Sequence, residues 1–428
     1  MYNAMQRLRT GDWLTGQRMT AYVSVLLVCE VLGLLIAIAG THGLLINLGH
    51  PTSTDFVSFY SAGRLVSEGT PWLAYDPVAH FAAEQQATEP GILYNFFYYP
   101  PVFLLLCGVL ARLPYLFAYM VFQAVGLATC VIAVRLIVRD ARPVFLLAFP
   151  AVFWTLGTGQ NAFLTATLFS AATLLIDRKP VMAGLLFGAL CYKPHFGVLI
   201  PVALIAGGHW RAVFSATGSV FALTGVSAWF LGRQTWLAYF VAVQGSHAIY
   251  ASDAIDLAGL ASPYGAMLVL GLDARYALVM QALATVLAAV CVGVVWRRGT
   301  SLPIRAAILS AATPVAVPIV MFYDLMLSGL AIAWLVRAGR ADGFTPWGKT
   351  LLMLSYIMPL VSGNLQGARY WCVAPITGAL VLGLTVSVAW RARPSDQLDG
   401  VTMRGSGVVA ACSTITSGAV PGAAGVHT

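Results

Sequence analysis

Long apolar runs separated by short polar breaks dominate this chain. Stretches of about 15 to 25 residues with few or no charges recur from Ala21 to Trp390, close to the roughly 20 residues that cross a hydrocarbon core. The pattern predicts helices near 20–40, 115–138, 142–157, 160–177, 180–192, 195–208, 211–231, 273–296, 303–321, 323–338, 348–363 and 371–390. These make an all-α, polytopic membrane protein of about twelve transmembrane helices, one domain over 1–390, with both termini on one side. Pro100–Ala111 is apolar for only about a dozen residues before Arg112-Leu-Pro114, which predicts a re-entrant or interfacial helix. The segments 180–192 and 195–208 are also short, and a single broken helix over 180–208, burying Lys193, is the alternative. From Arg391 onward the apolar pattern gives way to Gly, Ser, Thr and Ala, so 391–428 is expected to be a flexible cytoplasmic tail.

Composition sharpens this reading. Hydrophobic residues make up 59% of the chain and charged residues 9%, against about 25% charged in soluble domains. A soluble enzyme, a nucleic-acid binder and a disordered scaffold are excluded. The net charge of +8 comes from basic residues grouped beside apolar runs, where they orient the chain. Eighteen of the 24 Lys and Arg fall at 7/9/18, 135/139/142, 178/179, 211, 297/298/305, 337/340/349 and 391/393/404, and all seven groups fit on a cytoplasmic face. The opposite face then holds a first outer loop at 41–114, the turns at Gly157–Asn161, Lys193–His195 and Phe322–Asp324, a second outer segment at 232–272, and 363–370. Nine of the 16 acids lie there, at 55, 68, 76, 84, 89, 253, 256, 273 and 324. The first apolar stretch, Ala21–Gly40, is too long for a signal-peptide core and is expected to remain as a helix. Seven scattered cysteines form no CxxC pair, so neither a disulfide framework nor a metal site is expected.

Candidate chemistry collects on the outer face. Asp55 opens a helical pattern, where it could simply cap the helix or could serve as a carboxylate general base at the membrane surface. Gln160 and Asn161, in Gly157-Thr-Gly-Gln-Asn161, could bind sugar hydroxyls or cap the next helix. Lys193-Pro-His195 interrupts an apolar run, and ionisable residues at membrane depth are costly enough to suggest function; two such groups would suit an anionic phosphate. Arg64 and Arg369 are further cations on this face, each equally able to be an interfacial anchor. Asp324 could contact substrate, pair with a cation or cap a helix. Most rings of Tyr94-Asn-Phe-Phe-Tyr-Tyr-Pro-Pro101 read as an aromatic belt. Gly184-Leu-Leu-Phe-Gly188 reads as helix packing, and Glu30, inside the first helix, has no evident partner. A transporter or flippase of a lipid-linked glycan would also need many helices and an outer cationic site. It would more often place polar groups on paired broken helices near the midplane, a pattern this sequence lacks.

The order of several motifs resembles glycosyltransferase family 87. These are Asp55 with Tyr60, Ala62, Gly63 and Arg64; Tyr99-Pro-Pro101; Gly159-Gln-Asn161; Ala183–Gly188 leading to Lys193-Pro194; and Trp210-Arg211, with Tyr323-Asp-Leu325 as a weaker later echo. The resemblance covers roughly 50–215. It implies an integral membrane enzyme of GT-C type that takes a hexose, mannose in the typical members, from a polyprenyl-phosphate sugar to a lipid or glycan acceptor. It further implies an inverting transfer with Asp55 as base, no metal or cofactor, and an active site on the periplasmic side of an inner membrane. Tyr60, Arg64, Tyr99, Gln160, Asn161, Lys193, His195, Asp324 and Arg369 would then be the candidate substrate-binding residues.

Overall fold

The computed structural model describes residues 2–39, 54–250, 259–362 and 373–392; Arg369 and the tail beyond 392 lie outside them. Among the described residues the regular structure is helical, apart from one isolated bridge between Leu260 and Met321. The helices are α1 (Tyr2–Thr10), α2 (Gly16–Ala39), α3 (Phe56–Ser67), α4 (Pro77–Ala87), α5 (Pro101–Leu110), α6 (Tyr115–Ile137), α7 (Val144–Leu147), α8 (Pro150–Thr158), α9 (Ala162–Leu175) and α10 (Pro180–Ala189). They continue with α11 (Ile200–Ala206), α12 (Trp210–Leu231), α13 (Arg233–Tyr250), α14 (Pro263–Val269), α15 (Ala274–Arg297), α16 (Leu302–Ala316), α17 (Met326–Asp342), α18 (Gly348–Ile357) and α19 (Val373–Arg391).

Each of the twelve expected segments has a helical counterpart, but six helices among the described residues are long and apolar enough to cross a membrane: Gly16–Ile36, Tyr115–Ile137, Trp210–Leu231, Ala274–Arg297, Phe322–Asp342 and Val373–Arg391. The remaining counterparts are shorter or broken, and a straight helix of about 14 residues rises only about 21 Å, short of a core of about 30 Å. Proline causes several of these breaks. The residue before a proline is driven out of the helical region. Phe149 (ψ 120°) accordingly separates α7 from α8 at Pro150, and Val317 (ψ 130°) ends α16 ahead of Pro318, so the helix expected to reach 321 stops at Ala316. Lys193, outside the helical region before Pro194 (φ −134°, ψ 67°), divides 180–208 into α10, two short 3₁₀ turns and α11, the broken alternative that buries Lys193.

α16 and α17 form the centre, with Ala306–Ala312 and Trp334 buried, whereas α12 and α15 expose Phe221, Trp229 and Val286. An apolar exterior around a small-residue interior is the inversion that a lipid solvent permits. The GxxxG stripe packs as expected, since a Cβ on Gly184 would lie 2.3 Å from the Ala212 carbonyl oxygen and one on Gly188 would lie 2.4 Å from that of Ala216, both on α12.

Contacts between distant segments gather the basic helix ends. Trp347 N–H donates to the Arg9 carbonyl at 2.7 Å, Arg142 donates to Thr20 at 3.4 Å, and Arg337 donates to the Ile137 carbonyl at 3.5 Å. Arg305 pairs with Asp177 at 2.8 Å, and Arg298 lies 4.7 Å from the Trp390 ring. Between α2 and α6, α3 and α5 cross so closely that a Cβ on Gly63 would stand 2.1 Å from the Cys107 carbonyl oxygen. Backbone cannot yield as a flexible side chain can, so Gly63→Ala is expected to cost about 1–3 kcal/mol; a melting temperature equal to wild type would contradict this packing.

Candidate active site

Asp55 immediately precedes α3, yet its carboxylate makes no capping hydrogen bond. Instead Asp55 Oδ2 accepts from Gln160 Nε2 at 2.9 Å, a contact across 105 positions. Tyr99 donates to Gln160 Oε1 at 3.3 Å, and Gln123 Nε2 donates to the Gln160 backbone carbonyl at 3.1 Å, so Tyr99 holds the side-chain amide and Gln123 the backbone that carries it. Asn161, next in the chain, also leaves its helix uncapped and accepts from Lys193 Nζ at 3.4 Å. The Lys193 ammonium donates to Asp324 Oδ1 at 2.7 Å, with both side chains almost wholly buried. Asp324 Oδ2 accepts from the Met321 N–H at 3.3 Å, so it serves as a cation partner and helps to order its turn. Two neighbouring amides thus tie Asp55 to the Lys193–Asp324 pair. Gly159 makes this possible: its φ of +74° is open to glycine, and a Cβ there would lie 2.6 Å from Phe56 Cβ.

These groups face a cavity of about 550 Å³ lined by Asp55, Tyr99, Gln160, Lys193, His195 and Asp324, among others. Its volume suits a sugar-sized ligand. Burial raises the Asp55 carboxyl above the ordinary aspartate range, while the Gln160 hydrogen bond and the Lys193 charge draw it back down. Tyr60 and Arg64 do not reach the lining. Tyr60 donates to the Leu113 carbonyl at 2.9 Å, and Arg64 pairs with Glu68 at 3.4 Å on the same helix. The expected cation cluster therefore reduces, among the described residues, to a lysine already matched by a carboxylate, because burial and the Lys193 charge lower the His195 imidazole to about 3 and leave it neutral near pH 7. Arg369 lies outside the described residues.

A model of glycosyltransferase family 87 matches residues 97–321, more than half of the chain. The chain belongs to glycosyltransferase family 87. It is a membrane glycosyltransferase, and the transporter alternative loses its support. No curated protein and no solved structure matches the chain. Asp55 and Asp324 fall outside the matched stretch of this family 87 chain, and the fold brings each against residues within it: Gln160 and Lys193.

Other parts of the candidate site were not evident from sequence. Tyr239 and Val243 of α13 line the cavity, as do Leu260 and 317–319, where the Ala261 N–H meets the Val320 carbonyl at 2.6 Å. Of the expected aromatic belt, Phe97 is buried, whereas Tyr94, Phe96 and Tyr98 line the cavity, with Phe96 and Tyr98 stacked at 5.8 Å. Behind that wall sits a buried pair, His80 and Glu84, an i,i+4 spacing on α4 that could have been noticed. The His80 ring is 3.0 Å from the Ser58 carbonyl, which can only accept, so Nε2 carries the proton; Glu84 accepts from the Asn95 N–H at 3.1 Å. Ser58 and Asn95 both line the cavity. Burial lowers His80 to about 4 and raises Glu84 to about 8, so both favour their neutral forms near pH 7. Glu84, counted among the acids of the outer face, is buried and braces the cavity wall through Asn95.

Proposed function

We propose that this enzyme, of GT-C architecture with about twelve membrane segments, transfers a hexose, mannose by resemblance, from a polyprenyl-phosphate sugar to a hydroxyl of a lipid or glycan acceptor. The reaction is inverting and takes place on the periplasmic face of an inner membrane, opposite the gathered basic helix ends. Asp55 is the general base. The observation that carries this reading is the Asp55 carboxylate itself: it leaves its helix uncapped, is oriented by Gln160 and faces a sugar-sized cavity.

Asp55 takes the proton of the acceptor hydroxyl as its oxygen attacks the anomeric carbon, and the bond to the lipid phosphate breaks. The departing phosphate carries its own negative charge, so no second carboxylic acid is required. Lys193 and His195 meet that charge, with Asp324 and Asn161 fixing the ammonium. Tyr99 positions Gln160, and the sugar packs against the rings of Phe96 and Tyr98. Incubating purified protein with radiolabelled polyprenyl-phosphate-mannose and a membrane-lipid extract tests this. A labelled lipid or glycan is the expected product; bound donor with no product from any acceptor fraction would overturn the mannosyl assignment.

The hydrogen bond from Gln160 lowers the Asp55 pKa, so Gln160→Ala raises it. A base that binds its proton more tightly is lost earlier as pH falls. The acid limb of kcat/KM is therefore expected to move to higher pH, and an unmoved limb would separate Gln160 from the catalytic carboxylate.

A further inference from the structure

A second cavity, of about 320 Å³, has its charged rim at the other end of the helix bundle from Asp55 and runs along α17 as far as Met326. Two helices fix its place. α6 begins at Tyr115, whose hydroxyl is 3.4 Å from that of Thr54 beside Asp55, and ends past Arg135; α17 begins two residues after Asp324 and ends past Arg340. The 20 residues from Tyr115 to Arg135 rise roughly 30 Å, about the thickness of one hydrocarbon core. The floor is apolar, including Val23, Leu146, Phe149, Leu330, Ala333 and Met353.

Four cations complete the lining, Arg135, Arg142, Arg340 and Lys349, and no Asp or Glu is part of it. Among the described residues none of the four forms an ion pair, in contrast to Arg305, which meets Asp177 at 2.8 Å at the same end of the bundle. Among the described residues Arg142 donates to the Thr20 hydroxyl at 3.4 Å, and Lys349 lies 5.5 Å from the Phe344 ring. Exposed Ile132 and Leu136 flank Arg135 on α6, so the charged rim adjoins the lipid-facing surface.

We propose that this groove binds an anionic phospholipid of the leaflet opposite the catalytic cavity, its phosphate among Arg135, Arg142, Arg340 and Lys349 and an acyl chain along the apolar floor. The pairing of features selects the ligand. A soluble polyanion has no use for the floor, an uncharged lipid has none for four unpaired cations, and basic residues beside apolar helices attract acidic headgroups. The site is separate from the donor and acceptor cavity and does not depend on the reaction assigned to it.

The test uses the purified full-length chain in detergent, titrated with phosphatidylglycerol or phosphatidylcholine and followed by native mass spectrometry. Wild type is expected to bind phosphatidylglycerol at least tenfold more tightly than phosphatidylcholine, and the difference should shrink as salt is added. The combined variant Arg135→Gln/Arg142→Gln/Arg340→Gln/Lys349→Gln should lose that preference. Equal binding of the two lipids by wild type, or a preference retained in the variant, would overturn the proposal. A second measurement, independent of the variant's folding, is crosslinking by phosphatidylglycerol carrying a photoreactive acyl chain. Labels on the α17 and α18 residues of the floor support the site; labels confined to other surfaces, or a floor covered by residues 393–428, overturn it. Inorganic phosphate competing as well as phosphatidylglycerol would reveal a free-anion site and would likewise refute a lipid.

Discussion

Asp55→Asn is expected to lower turnover by roughly 10²–10⁴-fold, the usual contribution of a positioned base, while leaving the fold and donor binding intact. The substitution is nearly isosteric, and an asparagine carbonyl can still accept the 2.9 Å bond from Gln160. What it removes is the capacity to take a proton from the acceptor. Turnover and melting temperature should be measured together on the purified variant with labelled polyprenyl-phosphate-mannose. Wild-type turnover would eliminate Asp55 as the base. Lost activity accompanied by a collapsed melting temperature would show that the carboxylate is needed for the fold rather than for the reaction.

The second large effect is expected at the Lys193–Asp324 pair, which is 2.7 Å long with side chains 5% and 3% exposed. Removing one member of a buried pair strands the other charge, at a cost of roughly 3–5 kcal/mol, whereas replacing both with apolar groups is often neutral. Lys193→Met and Asp324→Leu should each melt well below wild type. The double variant should recover much of that stability and still be inactive, because the cation proposed to meet the leaving phosphate is gone. Additive destabilisation in the double variant would mean that the two charges are not coupled, and activity in the double variant would remove Lys193 from the reaction.

The lysine shows how far the linear chain could be read. Lys193 stood out because a charge in an apolar run is conspicuous, and Asp324 because it marks a turn. Nothing local says that they meet across 131 positions, or that their pairing leaves the site with less free positive charge than the count of outer-face cations suggested. Arg64 illustrates the converse. It belongs to the motif that carries the family resemblance, yet one turn of helix places it on Glu68 rather than in the cavity. Asp55 was legible both as a cap and as a base, and the structure removes the cap by turning the carboxylate to Gln160. His80 and Glu84 were not legible as a pair because their importance comes from burial, which residue type alone does not disclose for a histidine and a glutamate.

The sequence by itself determined the membrane class, the helical periodicity, the gathering of basic helix ends and the family, because hydropathy, charge grouping and motif order are properties of short windows read one after another. Tertiary structure decided which helices are broken by proline, which small residues mark close crossings, and which polar groups share the cavity. A hydrogen bond or a buried ion pair depends on two side chains arriving at one point in three dimensions, and that coincidence is set by how the helices pack.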